Sequence, residues 1–261
     1  MNEAILLNRI PDLKKVHLFE ELESTNDLGK TLLADSSIEL PALIYTSKQT
    51  RGRGRNGKSW ISSPGSLTFS FLVDSRSTQS LPHESLIWGL AVANALNSLT
   101  PETCPLLSVK WPNDVMADEK KIAGILIEST ARSTQGRVVG IGINLSNSPS
   151  RVPDSTGRLN AISVEELTGK QLDVVDVLTA VWNLWNQFRK MQNELIIDSF
   201  AQCDFLKTRQ IQFECGDLCI SGNYQGIDSR GAIQIHTGSQ LKTFASGSIT
   251  GFGPPQKQRS S

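Results

Sequence analysis

The sequence predicts an α+β protein in which a mixed β-sheet flanked by helices is followed by a small β-barrel. Its 261 residues correspond to one or two domains of ordinary size. Over residues 1–205, apolar segments of strand period are interspersed with segments of helical period. Over 206–253 the apolar segments are short, rich in glycine and interrupted by turns about every eight to ten residues, which is typical of a small barrel. The polar tail at 254–261 is expected to be disordered.

Charge and composition narrow the class of protein further. The 26 Lys and Arg residues are balanced by 26 Asp and Glu residues, so a surface that coats nucleic acid or an anionic membrane is not indicated. No apolar run reaches the roughly 18 residues of a membrane span, and no basic segment precedes the short apolar stretch at the amino terminus. The four cysteines and three histidines lack the spacing of a zinc site or a disulfide framework. We expect a cytoplasmic protein with reduced thiols.

Periodicity and turn residues place the elements of the first region. After a short strand, Ser24 with Asp27 approximates the capping box of a helix. Pro82 is suited to the first turn of a second helix, and Asp173 precedes a third, whose apolar residues recur at helical spacing. Strands are expected where short apolar runs end at turn residues. The predicted strands are 15–19, 41–47, 66–73, 106–111, 121–128 and 137–145, and the predicted helices are 24–34, 82–99 and 174–188.

Several of these elements carry a further expectation. Leu67, Phe69 and Phe71 alternate along the third strand and so share one face. Polar residues separate the last two strands of the region, which predicts a hairpin. Trp182 and Trp185 follow helical periodicity and are expected to pack in a core rather than hold a ligand. The second region is predicted to contain five strands, at 211–213, 218–221, 222–227, 231–236 and 241–245.

Residues 49–60, named here the glycine–arginine loop, read Gln-Thr-Arg-Gly-Arg-Gly-Arg-Asn-Gly-Lys-Ser-Trp. From Lys48 to Lys58 there are five cations and no acid, so one short stretch is strongly basic in a chain that is neutral overall. Glycines let the backbone approach a ligand closely, consecutive amides form an anion-binding concavity, and arginines add forked donors. The loop therefore predicts a site for a carboxylate or a phosphate.

Other interpretations of this loop are weaker. Gly52-x-Gly54-x-x-Gly57 matches the dinucleotide-binding fingerprint, and the segment also has the spacing of a phosphate loop. Both motifs require a helix directly afterwards, whereas Pro64-Gly65 and an alternating strand follow. A solvated basic turn would repel itself unless an anion joined it. A nucleic-acid-binding loop interleaves aromatic residues with its cations, and only Trp60 is available here.

Polar groups at the ends of other strands point to the same site. Lys110-Trp111-Pro112-Asn113-Asp114 follows an apolar strand, and Lys121 begins the next one. Asn144 lies inside an apolar run, where an amide needs a partner. Each of these residues taken alone is more often structural. Together with the loop they indicate one site for an anionic ligand and a base.

These motifs resemble those of the biotin protein ligases, in the order of that family and over about residues 17–250. The matching segments are 24–26, 49–60, 110–114, 121–126 and 140–144. The resemblance implies a class II synthetase-like catalytic domain with an SH3-like C-terminal domain. It also implies ATP and Mg²⁺ as cofactors, biotin as substrate and a biotinyl-5′-AMP intermediate. The product would be a biotinylated lysine on a biotin carboxyl carrier protein of the acetyl-CoA carboxylase type.

The resemblance also assigns roles to individual residues. Catalysis would fall to Arg53, Arg55 and Lys121, which would neutralise the charges of carboxylate and phosphate. Biotin would be bound by Ser24, Thr25, Asn26, Gln49, Gly52, Arg53, Gly54, Arg55, Lys121, Gly124 and Gly142. ATP and the adenylate would be bound by Arg53, Arg55, Lys58, Trp60, Lys110, Asn113 and Asn144, with Trp60 over the adenine. Asp114 is a weak candidate for assisting Mg²⁺ or the incoming lysine. The loop is expected to order over the adenylate and exclude water.

The sequence departs from the family pattern in two ways. The pattern starts by about residue 17 and leaves no room before it for the DNA-binding domain of repressor members. We therefore expect a monofunctional ligase with neither DNA nor a membrane as partner, and a homodimer stays open. Asn56 and Lys58 stand where many relatives have arginine, which bears on how the loop orders. Two rival functions are a lipoate–protein ligase of similar fold and chemistry, and an RNA-binding module built on the loop and barrel.

Overall fold

The computed structural model describes residues 1–35, 38–74, 84–130, 133–149, 161–238 and 240–256, with the side chains of 133–135 left aside. Pro82 and residues 257–261 of the predicted tail lie outside the described residues. Within this part of the chain are two β-sheets and six helices, none of which is long and apolar enough to cross a lipid bilayer. The helices are α1 Glu3–Arg9, α2 Thr25–Ala34, α3 Glu84–Leu99, α4 Val164–Thr168, α5 Val174–Phe188 and α6 Asn193–Gln202.

The first sheet has seven strands and is mixed, as predicted. Its strand order is β1-β2-β3-β7-β6-β5-β4. β1 and β2 are parallel, whereas the other neighbours are antiparallel, and β6 with β7 forms the predicted hairpin. The strands are β1 Lys15–Leu22, β2 Ala42–Gln49, β3 Ser66–Asp74, β4 Ser108–Lys110, β5 Asp114–Ala117, β6 Lys120–Thr130 and β7 Ser133–Asn144.

One face of this sheet packs against α3 and α5. Phe71 of β3 lies 5.6 Å from the ring of Trp88 and 4.7 Å from that of Trp182, measured between centroids. Trp88 and Trp185 stack at 4.5 Å. All these side chains are buried, so the prediction that Trp182 and Trp185 pack in a core is confirmed. Burial of such large rings supplies much of the stability of the fold.

The opposite face of the sheet packs against α2, whose first residues are polar. Ser24 is the N-cap, and its Oγ accepts a hydrogen bond from the amide of Asp27 at 3.3 Å, as the sequence predicted. Leu33 of α2 packs with Leu72 of β3 in a small core. Because side chains alternate along a strand, Ser70 shares this face with Leu72. The beginning of α2 is therefore held over the polar part of the sheet.

The second sheet is antiparallel and has the strand order β11-β10-β9-β8-β12. The predicted division at residue 222 is wrong, because β9 runs unbroken through Gly222. A Cβ at this position would lie 2.6 Å from the carbonyl oxygen of His236, so the glycine serves close strand packing rather than a turn. The strands are β8 Gln210–Cys215, β9 Leu218–Ile227, β10 Ile233–Thr237, β11 Gln240–Phe244 and β12 Ser248–Phe252.

Trp111 joins the two sheets. Its Nε1 donates a hydrogen bond to the carbonyl oxygen of Gly231 at 3.2 Å, and its ring lies 6.1 Å from that of Phe213 in β8. The second sheet is therefore anchored directly beside the Lys110–Asp114 segment. The domain boundary at residue 206 stays a prediction.

Candidate active site

A cleft lies on the sheet face that carries α2. Thr68 of β3, Gly124 of β6 and Gly142 of β7 line it, together with residues of the glycine–arginine loop and of the start of β12. The structure brings most of the predicted site residues together here. Those that line the cleft are Ser24, Thr25, Asn26, Gln49, Arg53, Gly54, Arg55, Lys58, Trp60, Lys110, Asn113, Asp114, Lys121, Gly124 and Gly142.

One end of the cleft consists of neutral hydrogen-bonding groups. The amide and hydroxyl of Thr25 donate to Oε1 of Gln49 at 2.8 and 3.1 Å. The hydroxyl of Ser70 lies 2.7 Å from Oγ1 of Thr25 and 2.8 Å from Oδ1 of Asn26. The amide nitrogen of Asn26 donates to the carbonyl oxygen of Leu126 at 3.2 Å. These bonds hold each polar group in one orientation before any ligand binds.

Two glycines of β7 allow side chains to rest directly on the sheet. A Cβ at Gly140 would lie 2.1 Å from Oδ1 of Asn26, and one at Gly142 would lie 2.3 Å from Cε2 of Trp60. The resemblance assigns Gly124 and Gly142 to biotin binding, where the lack of a side chain would leave room for the ligand. In this structure the indole of Trp60 occupies the space above Gly142 and lies next to Gly124.

The other end of the cleft gathers cations around one carboxylate. Nζ of Lys121 lies 2.5 Å from Oδ1 of Asp114, and Nζ of Lys110 lies 3.7 Å from its Oδ2. Arg55 donates to Oδ1 of Asn113 at 3.2 Å and to the carbonyl oxygen of Gly247 at 3.3 Å. The cluster is therefore arranged for an anion, with one internal carboxylate that keeps the cations close together.

Asp114 is held as an anion by its neighbours. Burial by itself would raise the pKa of Asp114, but the charges of Lys121, Lys110 and Arg55 outweigh burial and lower the pKa. Both carboxylate oxygens face ammonium groups, which does not favour Asp114 as a metal ligand. In the described part of the chain no group of three or more His, Cys, Asp or Glu side chains could hold a metal ion.

Arg53 lies at the rim of the cleft and binds two carboxylates. Its Nε and Nη2 donate to Asp27 at 3.2 and 2.7 Å, and Nη2 also donates to Glu128 at 2.8 Å. Burial alone would raise the pKa of Glu128, but hydrogen bonds from Asn26, Lys30 and Arg53 lower it. Arg53 was expected to face an anionic ligand, and here protein carboxylates take that position.

Comparisons with known proteins agree with this arrangement. The family model described as Biotin/lipoate A/B protein ligase family matches residues 18–144. A biotin–[acetyl-CoA-carboxylase] ligase of Paracoccus denitrificans is 31% identical over 223 residues, which cover 81% of this chain and 90% of the relative. The chain belongs to the biotin protein ligase family.

Further relatives support this membership over most of the chain. The bifunctional ligase/repressor BirA of Bacillus subtilis is 26% identical over 243 residues, covering 89% of this chain and 73% of BirA. The structure of the biotin protein ligase of Aquifex aeolicus in complex with biotin and ATP matches with a TM-score of 0.75 at 28% identity, covering 91% of this chain and 98% of that one. The predicted fold, a biotin ligase catalytic domain followed by an SH3-like domain, is thereby confirmed.

Two residues that the biotin ligase resemblance assigns to the site do not line the cleft. Gly52 lets the two ends of the loop pack closely, since a Cβ there would lie 2.6 Å from the carbonyl oxygen of Trp60. Asn144 is buried, and its amide nitrogen lies 3.3 Å from the carbonyl oxygens of both Lys121 and Ile162. These contacts give Asn144 a supporting position beneath Lys121, and its role toward the nucleotide stays a prediction.

Sequence reasoning missed several residues that complete this biotin ligase site. Glu128 and Ser70 could have been found, because strand alternation puts Glu128 on the same face as Gly124 and Ser70 on the same face as Thr68. Ser248 carries no local signal. Its Oγ accepts a hydrogen bond from the amide of Asn56 at 3.0 Å, across 192 residues of sequence.

Asn56 of the loop has a distinct backbone conformation. Its φ is 54° and its ψ is 37°, the left-handed region that asparagine tolerates better than other residues with a Cβ. The nearby Lys58 is exposed. The side chain of Asn56 thus joins the loop to the second sheet through its hydrogen bond to Ser248.

Proposed function

We propose that this chain joins biotin to a lysine of a biotin carboxyl carrier protein, using ATP and a biotinyl-5′-AMP intermediate. The observation that carries the proposal is that the two ends of the cleft differ in charge. A neutral end, formed by Thr25, Asn26 and Gln49, adjoins a cationic end, formed by Arg55 and Lys121. A ureido ring attached to a carboxylate chain has this same division. The acetyl-CoA carboxylase named for the Paracoccus relative is the proposed source of the carrier.

The neutral end suits the head group of biotin. A ureido ring offers two N–H donors and one carbonyl acceptor. The hydroxyls and amides of Thr25, Asn26 and Gln49 provide both acceptors and donors at short range. Because these groups are already oriented by bonds to one another, little entropy is lost when the ring binds.

The cationic end suits the first chemical step. A carboxylate oxygen of biotin attacks the α-phosphorus of ATP, an O–P bond forms, and the P–O bond to pyrophosphate breaks. The two anions repel each other until cations neutralise them. Arg55 and Lys121 are proposed to do so, with Lys110 alongside. Fixed charges of this kind contribute about 10²–10³ in rate for each donor.

In the second step the carrier lysine attacks the acyl carbon of the adenylate. An amide bond forms, AMP leaves with the electron pair of the broken C–O bond, and the amine loses a proton. The mixed anhydride is prone to hydrolysis, so the glycine–arginine loop is proposed to cover it and exclude water. Among the residues that the structure describes, no acidic cluster fits a resident Mg²⁺ site, so Mg²⁺ is proposed to arrive as part of the MgATP substrate.

The test is biotinylation of a carrier domain with labelled biotin, ATP and Mg²⁺. We expect ATP-dependent label on the carrier, pyrophosphate release without carrier, and no transfer of labelled lipoate. Arg53→Ala should shorten retention of the adenylate, and Lys121→Ala should slow its formation. Transfer of lipoate in preference to biotin would contradict the proposal. So would tight RNA binding with a steep salt dependence and no transfer.

A further inference from the structure

Glu128 contacts both the neutral end of the cleft and the glycine–arginine loop. It lies near the end of β6, outside the predicted site, and its side chain is 20% exposed. Its Oε2 accepts from the amide nitrogen of Asn26 at 2.9 Å and from Nη2 of Arg53 at 2.8 Å. Its Oε1 accepts from Nζ of Lys30 at 3.2 Å. One carboxylate thus contacts a residue of the head-group end and a residue of the glycine–arginine loop.

The contact with Glu128 is one of two that orient the side-chain amide of Asn26. The Nδ2 group has two hydrogens, and the two acceptors are the carbonyl oxygen of Leu126 and the carboxylate of Glu128. The oxygen of Asn26 therefore faces Ser70, which donates to it at 2.8 Å, and the backbone of Gly140. An ionised carboxylate accepts hydrogen bonds and cannot donate one. The reversed amide would place the oxygen of Asn26 against two acceptors, the carboxylate of Glu128 and the carbonyl oxygen of Leu126, so Glu128 and Leu126 together fix the amide orientation.

The contact with Glu128 also holds Arg53 over the head-group end. Arg53 belongs to the loop, and its guanidinium is shared between Glu128 on the sheet and Asp27 on α2. Within the part of the chain that the structure describes, the Asp27 side chain bonds Arg53 and Lys30 and makes no hydrogen bond to Asn26. The two carboxylates therefore differ in one respect, because both hold Arg53 but only Glu128 orients Asn26.

We infer that Glu128 is a positioning residue that couples the biotin-binding end of the cleft to the glycine–arginine loop, through Asn26 and Arg53. This inference rests on the proposed function. A ligand that accepts or donates at Asn26 acts on the same carboxylate that anchors Arg53. The loop and the head-group end therefore adjust together rather than independently.

Glu128→Gln and Asp27→Asn form a matched pair that tests this coupling. Glu128→Gln keeps the size of the side chain but removes its charge, which weakens the hydrogen bond that it accepts from Asn26. We expect it to weaken binding of biotin alone, without ATP, by about tenfold, the scale of one hydrogen bond to a charged group. It should also shorten the half-life of bound biotinyl-adenylate. Asp27→Asn should shorten that half-life but leave biotin binding within about twofold of the parent.

A double-mutant cycle separates coupling from general damage. In an Arg53→Ala background, Glu128→Gln should shorten adenylate retention less than it does in the parent, because only its effect through Asn26 remains, and it should still weaken biotin binding. Asp176→Asn is the control for loss of a charge. Asp176 lies on α5, far from the site, and forms an exposed ion pair with Arg9 of α1. Thermal unfolding of Glu128→Gln should stay close to that of the parent.

Three results would overturn the inference. The first is that Glu128→Gln binds biotin as tightly as the parent. The second is that Glu128→Gln and Asp27→Asn weaken biotin binding equally. The third is that the effects of Glu128→Gln and Arg53→Ala on adenylate retention are additive. Failure of the proposed function appears differently. The unsubstituted chain would then bind biotin without forming an adenylate, while the comparison of biotin affinities would still decide the role of Glu128.

Discussion

The ammonium of Lys121 lies 2.5 Å from a carboxylate oxygen of Asp114, and each side chain is only 15% exposed. The pair depends on an irregularity in the sheet. Val115 pairs with Ala123 and Met116 with Lys121, so Ile122 is an extra residue on β6. A bulge of this kind redirects a side chain. The bulge lies next to Lys121, whose ammonium contacts the carboxylate of Asp114 at the start of β5.

Lys121→Met should abolish fast adenylate formation and destabilise the protein. Loss of one fixed cation should slow pyrophosphate release by about 10²-fold or more. The charge of Asp114 would be left buried with less compensation, which costs about 3–5 kcal/mol when one partner of a buried pair is removed. Urea unfolding measures this loss. In the double variant Lys121→Met/Asp114→Leu stability should recover in part, because Lys110 then lacks this carboxylate, while activity should not recover, and recovery of activity would contradict the assigned role.

Gly142→Ala should impair the site more than the fold. The added Cβ would lie 2.3 Å from Cε2 of Trp60, so the indole must move. We expect a loss of kcat/KM of about 10²-fold, the effect of a displacement of about 1 Å near reacting groups. Gly54→Ala is the comparison, because its Cβ would meet its nearest atom at 3.5 Å and its effect should be milder. Tryptophan fluorescence reports the movement, and an unchanged spectrum with full activity would disprove this packing.

Ser248→Ala should loosen the glycine–arginine loop. The variant removes the acceptor for the amide of Asn56, which lies 3.0 Å away, and leaves the bond between Arg55 and Gly247 in place. One neutral hydrogen bond contributes about 0.5–1.5 kcal/mol, so the adenylate should dissociate about 2- to 10-fold faster. Ser199→Ala on α6, where the hydroxyl only bonds its own helix, should leave dissociation unchanged. Equal rates for both variants would show that the second sheet does not hold the loop.

Asp204 makes stability depend on pH. Burial raises the pKa of Asp204 to about 6, whereas the pKa of an aspartate in an unfolded chain is about 3.9. The folded protein thus binds this proton more tightly. The stabilisation is complete below about pH 4 and is lost as the pH rises through about 6.

Asp204→Asn removes this dependence and keeps an oxygen for the amide of Leu206, which donates at 2.9 Å. At pH 8 the free energy of unfolding should exceed that of the parent by about 1–3 kcal/mol, and near pH 4 the two should agree. Urea unfolding across this range is the measurement, with Asp176→Asn as an exposed control. Lower stability of Asp204→Asn at pH 8 would contradict the burial argument.

Local patterns were enough to predict most of the regular structure. Ser24 caps α2 as predicted because a cap involves residues only three apart, and the alternation of Leu67, Phe69 and Phe71 depends only on the strand period. Short elements were missed, among them α1 and β5, since few residues carry their pattern. The sequence predicts a division between strands at Gly222 because a strand that needs a glycine for close packing has the same local pattern as a strand that begins there.

By itself the sequence determined which chemistry this chain holds: a basic glycine–arginine loop, a neutral Ser-Thr-Asn segment, and lysines at strand ends. Those properties belong to contiguous residues and persist in any packing. Only the tertiary structure decided how they are used. Glu128 anchors Arg53, Trp60 covers Gly142, and Ser248 holds Asn56 across 192 residues. These pairings follow from strand order and from the docking of the second sheet, and no short-range pattern encodes which distant backbone comes within hydrogen-bond reach.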